Sequence, residues 1–420
     1  MAIAAVPAYL GKDFSTASPG LRFGMYLPLW GVESRTGELL WTTHDVNYRA
    51  TGPQQQERRS EDQNKTAALG DALRLNANDL ATLAALARRQ SALAAPIAAQ
   101  GALLALHALA IAPFTTGLGN EHPLENGFAF LNPYGLPYLP GSGVKGVLRQ
   151  AARELADHQW GDDQGWNEAA VTALFGKAGQ NCDDAADGGA ESGFQRGALT
   201  FWDVIPQIEG DALKVEVMTP HQSHYHQNGD TPHESGQPNP INFLTVPPKS
   251  KFAFHVQCDL PFLARLAPGL AQEGRWQQLV TAALTHAFQW LGFGAKTAVG
   301  YGAMAVDSAR QAQVDKERID AEREAKRVSM RPSQLSIDDF IQAVQARFEQ
   351  LKGGKDKPNT EFHQQAQKLA KAALDGADWT ASEKAAAADA IEAWLPKVVL
   401  LPDVKDAFKK LKLRALRGLT

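Results

Sequence analysis

The chain has 420 residues, enough for two or three domains around a large core, and its 44% hydrophobic and 21% charged content excludes wholesale disorder. A formal net charge of −4 leaves no global basic signature, so any contact with nucleic acid must come from local patches. Two cysteines, Cys182 and Cys258, exclude a disulfide scaffold and a cysteine-rich zinc module and suit a reducing, cytoplasmic setting; the longest apolar run, 101–114, is too short to span a membrane.

Residues 1–60 mix short apolar runs with turn formers and lead into the polar stretch 51–66. Residues 67–100, rich in Ala and Leu, read as one or two helices capped at Asn78 or Asp79. At 101 the period changes. Leu104, Leu106, Ala108 and Ala110 alternate with an equally apolar set that includes His107, which predicts a strand buried on both faces. After "GSGVKG", Val144, Val147, Leu148, Ala151 and Leu155 fall on one helical face. Strands follow at 197–204 and 250–260, then an amphipathic helix from Trp276 to Leu291 closed by Gly292, then a short edge strand at 301–306. In this helix the stripe from Trp276 to Trp290 reads as core, and His107 and His286 read as satisfied core or boundary histidines.

The order strand, helix, strand, strand, helix, strand over 101–306 is the ferredoxin-like βαββαβ pattern, with long insertions at 113–140 and 206–249. The expected class is therefore α+β, with an N-terminal segment 1–100, a ferredoxin-like core 101–306 and an all-α region 307–420. In that last region 313–327 is a mixed-charge solvated helix, and Ser336 with Asp339 and Thr380 with Glu383 form capping boxes. Ile337, Phe340, Ile341, Val344, Phe348 and Leu351 make an apolar stripe. The final basic helix, 405–418, leaves Phe408, Leu411 and Leu416 to face a partner, and packing is favoured over RNA contact as its use.

Two glycine-rich loops carry the candidate chemistry. "LPGSGVKGVLR" (139–149) matches the spacing of a dinucleotide fingerprint, but Pro137 and Pro140 stand where the leading strand of a Rossmann loop would end. It also lacks the Lys-Ser/Thr of a Walker loop, since Val147 and Leu148 follow Gly146. What remains is a helix start capped by Ser142, with Gly143 opening the backbone to a phosphate and Lys145, Arg149 and Arg153 four apart along one edge. A tight turn with a solvated basic edge is the alternative. The second loop, "GFGAKTAVGYG" (292–302), places Gly292, Phe293 and Gly294 and then Gly300, Tyr301 and Gly302 around a tip bearing Lys296 and Thr297. Flexible backbone, one cation and two aromatics suit RNA phosphates and stacked bases. His221, His224, His226 and His233 crowd a third loop, with no regular ligand spacing; contact with RNA or a neighbouring subunit is expected there rather than a metal, and no cofactor is expected.

The second loop resembles the glycine-rich signature of the RAMP superfamily of CRISPR RNA-binding proteins, and "PGSGVKGVLR" resembles that superfamily's first-helix motif. "LFG" (174–176) and "RGALTFWDV" (196–204) are similar to its intervening motifs. More narrowly, 117–149 and 219–246 look like the sixth-subunit family of type III-B (Cmr) effector complexes. The resemblance implies a non-catalytic subunit that binds guide and target RNA and caps the backbone near the 3′ part of the guide. It implies as neighbours the backbone RAMP subunits, the small helical subunit and the subunit with two RAMP folds. Asp203 of the "FWD" motif is common in the superfamily, so its presence implies no catalysis. The RNA-binding residues expected on this reading are Ser142, Gly143, Lys145, Arg149, His221, Gly292, Gly294, Lys296, Thr297, Gly300, Tyr301 and Gly302. A metal-dependent endoribonuclease processing CRISPR RNA through the histidine-rich loop is the alternative from another class.

Overall fold

The computed structural model describes residues 4–32, 39–41, 62–124, 126–158, 165–177, 195–219, 241–358 and 360–418. The chain forms two compact units, Met1–Gln313 and Val314–Thr420.

The first unit is built on a four-stranded antiparallel sheet of β1 (Leu103–Ala110), β2 (Leu199–Phe201), β3 (Lys251–Cys258) and β4 (Met304–Val306), in the spatial order β4-β1-β3-β2. That order, with a helix between the first and second strands and another between the third and fourth, is the ferredoxin-like arrangement expected from the sequence. The long helix α1 (Ala77–Ala98) precedes the sheet, α2 (Gly141–Ala156) lies between β1 and β2, and α3 (Arg275–His286) between β3 and β4. The alternation along β3 settles the faces. Phe252, Phe254, Val256 and Cys258 are buried towards the helices, where Phe254 meets Phe288 and Phe293 at 5.4 and 4.9 Å between ring centres. Each such ring removed from water contributes about 2–3 kcal/mol. His255 and Gln257 share the opposite face.

Three local expectations give way to packing and capping. Helix α1 is capped by Asn76, whose side chain accepts the Asp79 N–H at 3.0 Å while Asp79 accepts the Asn76 N–H at 2.9 Å; Asp79 completes a capping box instead of being the cap itself. Helix α3 runs into a π-helical turn, Ala287–Leu291, whose wider winding shifts the phase of the apolar stripe. Trp276 is therefore 1% exposed and Trp290 60%, so the second tryptophan is not core. His286 meets Glu154 of α2 at 2.8 Å across the helix pair, the satisfied boundary histidine expected. In β1 the outward set is half-buried, and Gln311 Oε1 accepts the His107 N–H at 3.1 Å.

The helix α4 (Ser308–Val328) carries the division between units and is largely exposed, as its charge pattern predicts. The second unit comprises α5 (Pro332–Leu351), α6 (Glu361–Asp375), α7 (Ala381–Val398), α8 (Val404–Lys410) and α9 (Leu413–Leu416). Helix α5 begins at a proline suited to the first turn, so Ser336 is interior and donates to the Pro332 carbonyl at 2.9 Å, and the expected Ser336–Asp339 box is absent. The Thr380–Glu383 box is present. Phe340, Val344, Leu369, Ile391 and Leu395 form a core that also buries Leu411, Leu413 and Leu416. The last helices thus spend their leucines within their own unit and do not offer them to a partner. Arg347 grips Asp356 with two bonds of 2.9 and 2.7 Å, and Arg417 reaches Asp389 and Glu392. No described helix is long and apolar enough to cross a membrane.

Candidate nucleic-acid interface

The first glycine loop is held by its neighbour in space. Pro140 is the N-cap residue of α2, and Ser142, inside the first turn, caps nothing. The cap comes from Asp203, whose Oδ1 accepts the Gly141 N–H at 2.7 Å. A Cβ at Gly141 would overlap the Phe201 carbonyl oxygen, so glycine is what lets α2 start this close to β2. The carboxylate from the "FWD" motif thereby holds part of the helix end where a phosphate was expected, and its visible work is structural. Gly143 and Val144 return their N–H groups to the Pro140 carbonyl.

Along α2, Lys145 and Arg149 are half-buried and face an open groove of about 790 Å³, while Arg153 is exposed and lies outside it. The other wall is a short ribbon, Gly176–Lys177 against Gln195–Arg196, formed where the "LFG" and "RGALTF" motifs come together. Arg149 donates from Nη2 to the Gly176 carbonyl at 3.1 Å, and its buried Nε has no hydrogen-bond partner. Arg196 bonds Asp259 at 2.8 Å and lies 4.7 Å from the centre of the Phe262 ring. The Phe262 N–H first, and Arg196 with it, holds the Asp259 carboxyl below the usual carboxylate range. Lys177 and Arg196 were absent from the sequence-based set; the signal was there, in cations that directly follow one motif and open the next.

The second glycine loop is a folded turn whose backbone is mostly engaged. Ala295 donates to the Thr115 carbonyl and Gly302 to the Pro113 carbonyl, both at 2.8 Å; Phe293 bonds Gly302 at 3.0 Å, and Gly300 bonds Thr297 at 2.9 Å. Phe293 is 0% exposed in the core, so it is no stacking platform. Tyr301 sets its ring edge-on to Phe243 at 5.5 Å, and burial, with Glu216 beside it, raises its hydroxyl above the ordinary value. Lys296, in a left-handed conformation, lies 5.2 Å from the Phe243 ring centre and 3.2 Å from Met218 Sδ, at the end of the ribbon Lys214–Met218/Ile241–Thr245. Gly292 closes the π-helical turn, and Thr297 opens a short 3-10 turn. His221 and the other three histidines of the third loop lie outside the described residues, so their expected contacts do too.

The two loops do not make one cluster of cations. The Lys145–Arg149 groove is lined by Ala102 and Cys258, at the start of β1 and end of β3, whereas the Lys296 turn hangs on Thr115, beyond the other end of β1. Eight residues of strand put them roughly 25 Å apart.

Residues 108–305, which take in the whole of β2 and β3, the last three residues of β1, two of the three residues of β4 and both helices of the sheet, match the sequence model of the RAMP superfamily. Among curated proteins it is similar to the CRISPR system Cmr subunit Cmr6 of Pyrococcus furiosus, 29% identical over 232 residues. That alignment takes in 44% of this chain, and the chain spans 63% of the relative's length. Among solved structures, a type III-B Cmr-beta complex bound to cognate target RNA includes a chain with a TM-score of 0.42 at 17% identity, covering 62% of this chain and 77% of that one. The crystal structure of Cmr6 from Pyrococcus furiosus gives a TM-score of 0.26 at 23% identity, covering 49% and 97%.

Proposed function

We propose that this chain is a non-catalytic, RNA-binding subunit of a type III-B CRISPR effector complex, the counterpart of the sixth Cmr subunit. In that role it caps the backbone near the 3′ part of the guide RNA and supports assembly and target RNA binding, in the cytoplasm, beside backbone RAMP subunits, the small helical subunit and the two-RAMP-fold subunit. The observation that carries this reading is the cationic groove within the superfamily domain. Residues 1–313 hold 22 Lys and Arg against 29 Asp and Glu, yet the groove gathers Lys145, Arg149, Lys177 and Arg196 against Asp259 alone. Such local reversal of sign is what attracts a polyanion to an acidic domain. Phosphates bind there and at Lys296, and base pairing in the guide supplies sequence choice.

Replacing Lys145, Arg149 and Lys296 together by alanine should weaken RNA binding similarly for all sequences, because phosphate contacts carry no sequence information. The slope of log affinity against log salt should fall by about 0.7 for each single-strand phosphate no longer neutralised. Because the two sites lie far apart, the effects of the groove pair and of Lys296 should add as free energies. Unchanged affinity and slope in the triple variant would place the RNA site elsewhere. Asp203→Asn, which retains an acceptor for the Gly141 N–H, should leave target cleavage by a reconstituted complex intact. A cleavage defect with assembly unharmed would return Asp203 to the chemistry.

A further inference from the structure

The groove has a floor as well as a rim. Its rim carries Lys145, Arg149, Lys177 and Arg196, and its inner surface includes the partly exposed apolar side chains Ile97 and Leu260. Its volume, about 790 Å³, lies within the ~300–1,000 Å³ of pockets that enclose a small molecule. Among the described residues neither Lys145 nor Lys177 is in an ion pair, and Arg196 alone is tied to a carboxylate, that of Asp259. The Nε of Arg149 is buried without an acceptor. The aromatics of the glycine-rich turn, by contrast, face the protein: Phe293 is in the core and Tyr301 is set against Phe243.

We propose that this groove receives one unpaired nucleotide of an RNA strand, its phosphate on Lys177, Arg196 and Arg149 and its base on the Ile97–Leu260 floor. The inference rests on the RNA-binding reading above and adds to it the site and the state of the strand. An A-form duplex keeps its bases stacked and offers side chains only phosphates, sugars and base edges. A cationic rim alone would serve a duplex as well as a single strand. An apolar floor beneath it is useful only to a base that has left the stack, whose insertion carries an unpairing cost in duplex RNA that a single strand avoids.

The test compares the full chain's affinity for a labelled single-stranded RNA of mixed sequence with that for the same RNA annealed to its complement. The single strand should bind at least about fivefold more tightly, the lower end of what one base gains by stacking on an aromatic side chain. The double variant Lys177→Ala/Arg196→Ala should weaken single-strand binding and lower the salt slope by about 1.4, the value for two phosphates. Ile97→Gln should weaken single-strand binding several-fold while leaving the slope unchanged, which separates a base on the floor from a phosphate on the rim. Lys177 and Arg196 are exposed, and Lys177→Ala alone, expected to lower the slope by about 0.7, keeps the test if removal of the Asp259 bond disturbs folding. Equal affinity for the two RNAs, or an unaltered slope in the rim variants of a chain that binds RNA, overturns the groove assignment and leaves the broader reading standing. A parent chain that binds neither RNA at low salt overturns both.

Discussion

A Gly302→Ala chain should unfold about 10 °C below the parent, while Gly300→Ala, two residues away, should cost about half of that. Both glycines have positive φ, 71° and 95°, where a Cβ costs about 1–2 kcal/mol. They differ in what surrounds them. Nothing lies within 4 Å of a Cβ built at Gly300, whereas one at Gly302 would overlap the Phe293 carbonyl oxygen. Phe293 cannot yield easily: it is fully buried, its N–H bonds the Gly302 carbonyl, and its ring packs against Phe254 and Phe288. Displacing such a ring adds about 1–3 kcal/mol, for a total near 3 kcal/mol. At about 2–4 °C per kcal/mol for a domain of this size, that gives the expected drop. Thermal melts of the three proteins decide it, and equal melting temperatures for the two variants would mean that the turn is loose enough to serve as an adaptable RNA clamp after all.

The glycine-rich signature therefore reads two ways, and only the fold separates them. The sequence shows glycines, aromatics and a lysine; it does not show that Phe293 completes the sheet's inner face or that Thr115 and Pro113 accept the loop's N–H groups. The same division runs through the rest of the chain. The continuous apolar run at β1, the period-2 run at β3 and the period-3.6 runs at α2 and α3 were legible because each answers to burial, and their order was enough for the ferredoxin-like topology. What stayed hidden depends on residues distant in sequence or on a change of winding. Asp203 caps a helix 62 residues before it, so a local search for a cap settles on Ser142. Trp290 leaves the core because one π-helical turn interrupts the stripe, and no residue type announces such a turn. Lys177 and Arg196 come together only when their short ribbon pairs, and neither belongs to a run of cations in the sequence.

Acid should destabilise this protein through His255. The side chain is 5% exposed on β3, and its ring lies 5.3 Å from that of Trp202. Burial, with a smaller contribution from His107 and a partial offset from the Ala253 carbonyl, lowers its pKa to about 4 from an ordinary 6.5. Between those values the unfolded chain binds a proton that the native chain refuses, so the sign is fixed: this contribution is fully present above pH 6.5 and is lost as pH falls towards 4. The shift corresponds to about 3 kcal/mol at the low end of the window. His122, also depressed by burial, slopes the same way, so the parent profile alone does not isolate His255. His255→Gln, which cannot take up the charge, should unfold with a shallower pH dependence between 6.5 and 4, and the two denaturant-derived curves should converge as pH falls. Parallel curves across that window would mean that His255 is protonated in the native sheet, next to His107, and that the outer face of β3 is wetter than its packing indicates.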